Sequence, residues 1–126
     1  MKKQIVLLLA TGILFLFFQS FSLDAPPESV FPDEISTVLK ASCYDCHYTG
    51  ASSDKALKAV NFAQWEEYRL TKQIALLGDI GKVVEENKMP PGKYLENKPD
   101  AKLSESQIKQ LADWTRQESE KLMQAD

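Results

Sequence analysis

The chain has 126 residues, carries 18 acidic against 15 basic side chains and has a formal net charge of −3. That is the length of one domain, and its acidic balance argues against nucleic acid, whose binding rests on clustered Lys and Arg neutralising phosphates. Two cysteines, Cys43 and Cys46, and one histidine, His47, fall short of the four donors that a closed zinc site takes.

Residues 1–22 read as an export signal. Met1-Lys2-Lys3 leads an apolar run from Ile5 to Phe18, and Gln19-Ser20-Phe21-Ser22 supplies small residues for cleavage after Ser22. The run is shorter than the roughly 20 apolar residues of a spanning helix, so removal is the expectation and retention as an anchor the alternative. The rest of the chain is then expected in the periplasm, or tethered to the membrane and facing the periplasm. Taking 22 residues from 126 leaves 104, and losing Lys2 and Lys3 leaves 13 basic side chains against 18 acidic ones, a net of −5. A partner surface of basic or neutral character suits that sign. A domain of this size buries a modest fraction of its surface, which a large apolar cofactor would supplement.

Residues 23–29 hold Pro26-Pro27 and few apolar side chains and read as an extended leader; the domain is expected over residues 30–126. Pro32-Asp33-Glu34 place a proline and two acids in a helix first turn, which predicts a helix from about Pro32 to Cys46 with Ile35, Leu39, Cys43 and Cys46 on one face. Tyr48 to Asp54 reads as a loop and Ala56 to Val60 as a short turn of helix. Helical periodicity returns over Gln64 to Leu77 and Ile80 to Asn87, with Gly78 closing the first piece. Met89-Pro90-Pro91-Gly92 then cannot continue a helix. The last helix starts at Ser104 as N-cap with Gln107 three residues on and Leu103 set to pack on Ile108, and is expected to reach about Met123. No alternating β-branched run appears outside the signal, so the class is all-α.

Cys43-Tyr44-Asp45-Cys46-His47 fits C-x-x-C-H, in which both thiols bond the vinyl groups of a haem and the adjacent imidazole ligates iron. Residues three apart on a helical turn present two sulfurs to one edge of a flat ring. The same cysteines also allow a disulfide or a thiol-disulfide oxidoreductase pair, although the latter wants a βαβ context that the pattern lacks. His47 is the only histidine, so a second protein ligand must be another residue type. Met89 is the leading candidate, a soft thioether on a backbone stiffened by Pro90 and Pro91; the alternative is an ordinary core methionine. Phe62, Trp65, Tyr94, Leu95 and Trp114 are assigned to packing first and to a cofactor wall second.

CYDCH at residues 43–47, NFAQW at 61–65, KMPPGKYL at 88–95 and DAKLSESQIKQLADW at 100–114 resemble the haem-binding domain family of small exported c-type cytochromes, over about Phe31 to Met123. The resemblance implies a small cytochrome c-like bundle of about three to five helices around one covalently bound haem c, with thioethers from Cys43 and Cys46, His47 as proximal ligand, Met89 as distal ligand and a final helix packed on the first. The segment after His47 lacks the proline whose carbonyl accepts the proximal histidine N–H in many class I cytochromes, which leaves that acceptor unassigned. The expected function is single-electron transfer to a redox partner protein rather than catalysis, with no nucleic acid and with membrane contact only if the signal is retained. Two alternatives stand: a haem-based sensor or gas-binding domain with a displaceable Met89, and a thiol-disulfide oxidoreductase using Cys43 and Cys46.

Overall fold

The computed structural model describes residues 29–125. The expected signal segment and the leader up to residue 28 lie outside the described residues. Six α-helices and two 3-10 turns make up the described chain, with no strand among them. The chain is all-α, in keeping with a small helical bundle. None of these helices is long and apolar enough to cross a membrane.

Helix α1 spans Asp33–Ser42, with Pro32 before it and both acids in its first turn. It stops earlier than expected. Cys43 leaves helical geometry at φ −122°, ψ −36°, and a separate single turn, α2 (Tyr44–His47), begins beyond it. The Cys43 carbonyl then accepts from both the Cys46 and His47 amides at 3.2 and 3.0 Å. Helix α3 (Asp54–Ala59) is capped by Ser53, whose hydroxyl accepts from the Ala56 amide.

The stretch expected as helix from Gln64 is a 3-10 turn, Phe62–Glu67, entered through Asn61. Tyr68 and Arg69 then run extended, with ψ 137° and 149°. Helix α4 (Leu70–Glu85) follows without interruption, so Gly78 lies within it and terminates nothing. A glycine in a helix interior costs about 1 kcal/mol relative to alanine, which sixteen residues of packed helix absorb. The real terminator is Asn87, at φ 53°. Its amide bonds the Val84 carbonyl at 3.0 Å and the Lys88 amide bonds that of Val83 at 2.8 Å, the double closure of a Schellman motif. Short helix α5 spans Gly92–Asn97.

Helix α6 (Glu105–Gln124) starts where the sequence reading put it. Ser104 Oγ accepts from the Gln107 amide at 3.2 Å, and Gln107 Oε1 accepts from the Ser104 amide at 2.9 Å. The helix packs chiefly along α4 and over a shorter stretch on α1, so its main partner is α4 rather than the first helix. Gly81 makes that crossing close, because a Cβ there would lie 2.6 Å from Thr115 Oγ1.

Ile35, Leu39, Leu77 and Leu111 fill the centre, fully buried, from α1, α4 and α6. Beside them Phe31 meets Phe62, Trp65 and Trp114 edge-on, with ring centroids 5.4 to 5.9 Å apart. This aromatic block supports the underside of the 3-10 turn and, through Phe62, one wall of the site.

Candidate haem site

A cavity of about 440 Å3 opens between α2, α3, α4 and the Met89 loop, within the roughly 300–1,000 Å3 usual for cofactor and ligand pockets. Cys43, Cys46, His47 and Met89 all line it. Two stretches more than forty residues apart are thus brought together, since α2 and α4 both line the cavity and the Schellman closure of α4 releases Met89 at the rim. The rest of the wall is largely apolar: Leu76, Ile80, Val83 and Val84 come from one stripe of α4, and Phe62 and Tyr94 add aromatic surface. Lys55 and Asp79 supply charge at the lining.

His47 is held by main chain. Its Nδ1 lies 3.1 Å from the Ala56 carbonyl and 3.1 Å from that of Val60. With both neighbours acceptors, Nδ1 carries the proton and Nε2 keeps a bare lone pair, the tautomer a metal-binding imidazole requires. These carbonyls fill the role that the sequence left unassigned. They are provided by the end of α3, whose Val60 amide also bonds the Ala56 carbonyl at 3.0 Å.

The loop that carries them is pinned by Asn61, a buried amide. Its Nδ2 donates to Thr49 Oγ1 at 3.0 Å, its Oδ1 accepts from the Ala63 amide at 3.1 Å, and its own amide donates to the Tyr68 hydroxyl at 3.0 Å. Asn61 was legible only as the first letter of NFAQW; an Asx cap before a 3-10 turn is the local signal that marks it.

Both cysteines are free thiols. Burial, and then the neighbouring Cys46, push the Cys43 thiol up to about 12. A thiol that stays protonated at neutral pH is a poor nucleophile for disulfide exchange. Among the described residues no three His, Cys, Asp or Glu side chains gather as a metal-ligand cluster.

Met89 is 38% exposed and sits at the cavity rim, joined to Pro90 by a cis peptide. Of the residues assigned first to packing, Trp65 and Trp114 belong to the Phe31 block, Leu95 is half-buried away from the cavity, and Phe62 and Tyr94 reach its wall. Ile74, Leu77, Ile80 and Val84 repeat near the helix period in the sequence; the wall takes Ile80 and Val84 from that set and adds Leu76 and Val83, at spacings of four, three and one along a helix face.

The donor set fits a haem. An apolar cleft of suitable volume has two thiols at one edge, an imidazole with its Nε2 lone pair free, and a soft thioether at the rim.

No curated protein and no solved structure matches the chain. The description "Haem-binding domain" belongs to the family that matches residues 48–117. That stretch begins directly after His47, so the C-x-x-C-H pattern and the family match are separate pieces of sequence. Covering more than half of the 126 residues, and joined to a helical fold with a cleft fitted to the group, the match shows that the chain belongs to the haem-binding domain family.

Proposed function

We propose that the chain is an exported single-haem c-type cytochrome that passes electrons one at a time to a redox partner protein. Cys43 and Cys46 would hold the haem through thioethers, and His47 Nε2 and Met89 Sδ would ligate its iron. The observation that carries the reading is the convergence of these four side chains on one apolar cavity. When bound, the haem supplies an iron that gains and loses a single electron. The chain's own residues do the rest.

Ala56 and Val60 carbonyls orient His47 and keep its proton on Nδ1, which raises the basicity of Nε2. Leu76, Ile80, Val84 and Phe62 exclude water from the cleft, and a low dielectric with a His/Met pair favours a high potential. With His47 and Met89 both engaged in holding the iron, no place for a substrate would be left there, which suits a carrier rather than a catalyst. Removal of residues 1–22 would release the domain to the periplasm, and retention would tether it there.

The exposure of Met89 supports a second reading, a sensor in which a small molecule displaces the thioether. The thiol-disulfide reading is disfavoured by the buried, protonated Cys43.

Intact mass of the exported protein from a host able to attach haem tests the assignment. Signal loss plus one haem is expected, and Met89→Ala should abolish the weak red absorption of the thioether-to-iron bond seen in the parent. A colourless product whose two thiols still alkylate would sink it.

A further inference from the structure

The two halves of the site are tied together on the surface. Asp45, inside the attachment turn α2, accepts a hydrogen bond from the Tyr94 hydroxyl at 2.9 Å and pairs with the Lys98 ammonium. Lys98 also lies 6.0 Å from the centroid of the Tyr94 ring. Tyr94 and Lys98 belong to α5 and its C-cap, the element into which Met89-Pro90-Pro91 leads. Among the described residues Asp45 is the one side chain outside α5 that its side chains hydrogen-bond. The loop between α4 and α5 is otherwise lightly held at its tip, with the Met89 amide 3.3 Å from the Val83 carbonyl. Tyr94 meanwhile presents surface to the cavity beside Pro90 and Pro91.

We infer that Asp45, Tyr94 and Lys98 form a latch that holds the Met89 loop against the attachment turn and sets how readily Met89 yields to an external ligand. This rests on the proposed ligation by Met89. The logic is geometric. Withdrawal of Met89 by movement of its loop pulls on α5, the anchor at the loop's far end. Lifting α5 breaks the Asp45 contacts, so their free energy adds to the resistance against displacement. Asp45 occupies a variable position of C-x-x-C-H, where the motif itself asks nothing of the side chain. Closed, the latch favours the carrier; weakened, it moves the same fold toward the sensor.

The test is titration of the oxidised, haem-loaded mature protein with imidazole, followed by absorption. Tyr94→Phe removes one hydroxyl and keeps the ring on the cavity wall; Asp45→Ala removes the acceptor. Each should tighten imidazole binding about two- to tenfold, the span of one net hydrogen bond, and the double variant should bind no more than the tighter single. Should Asp45→Ala impair haem attachment, Tyr94→Phe alone decides. Leu122→Ala, far along α6, should lower thermal stability and leave imidazole affinity at the parental value. Unchanged affinity in Tyr94→Phe, with the thioether band present in the parent, overturns the latch and leaves Met89 ligation standing. Equal tightening in Leu122→Ala also overturns it, since loosening would then be general. A parent without the band overturns both readings.

Discussion

Replacing Gly81 by alanine should reverse its effect on stability according to what stands at position 115. In the parent a Cβ at Gly81 would lie 2.6 Å from Thr115 Oγ1, far inside contact distance, and Thr115 is itself buried with its hydroxyl donating to the Ala112 carbonyl at 3.0 Å. Overpacking of this kind costs about 1–3 kcal/mol. Alanine in place of glycine in a helix returns about 0.5–1 kcal/mol. The net for Gly81→Ala is a loss of about 1 kcal/mol, or roughly 4–8 °C in melting temperature for a domain of this size. With Thr115→Ala in place, the clashing oxygen is gone and the next atom, the Cβ of residue 115, stands at 3.6 Å, which is ordinary contact. The same Gly81→Ala change should then stabilise by about 0.5–1 kcal/mol. Thermal unfolding of the haem-loaded parent, both singles and the double, followed by circular dichroism, completes the cycle. If Gly81→Ala changes stability equally in both backgrounds, the close crossing of α4 and α6 is wrong. The wall stripe of α4 would then have no such fixed support.

Asn61→Ala should lower stability by about 1–3 kcal/mol, because it strands the Ala63 amide and Thr49 hydroxyl, and should speed limited proteolysis between residues 48 and 61; a parental melting curve would count against the pin. At position 87 alanine must adopt φ 53°, so Asn87→Ala should fall about 1–2 kcal/mol below Asn87→Gly in urea unfolding, and equal midpoints would refute the left-handed closure of α4. Lys98, and then Tyr94, hold the Asp45 carboxyl below its ordinary 3.8. The folded state therefore keeps the charge after the unfolded chain has bound a proton, and this stability is present above pH 3.8 and lost as pH falls below it. Asp45→Asn should flatten the acid limb of the stability profile, and parallel limbs would contradict the pairing.

Helix α6 was readable because Ser104 and Gln107 state their own geometry locally: each side chain reaches the other's amide without help from the rest of the fold. That Cys43, Cys46, His47 and Met89 stand out was legible for a similar reason, since three sit in one pentapeptide and Met89 adjoins two prolines; that they line one cavity was not. The breaks were harder. Ile35, Leu39, Cys43 and Cys46 satisfy a helical stripe whether or not the chain kinks at Cys43, so periodicity alone is blind to the interruption between α1 and α2. Gly78 looked like a terminator, yet the stop came nine residues later from an asparagine, a residue that also tolerates positive φ. The extended step at Tyr68 depends on its hydroxyl reaching the Asn61 amide, a tertiary contact with no trace in local spacing. The acceptors for His47 were invisible because every residue type owns a carbonyl.

Since two peptide oxygens steady the imidazole, an alanine scan through residues 56 to 60 would pass over the support of His47 without registering it, and neutral drift of those side chains carries little penalty there. What the site cannot tolerate is a change in chain length between His47 and Val60. One residue inserted or deleted between His47 and Ala56 slides both oxygens out of reach while leaving Cys43, Cys46, His47 and Met89 themselves unchanged.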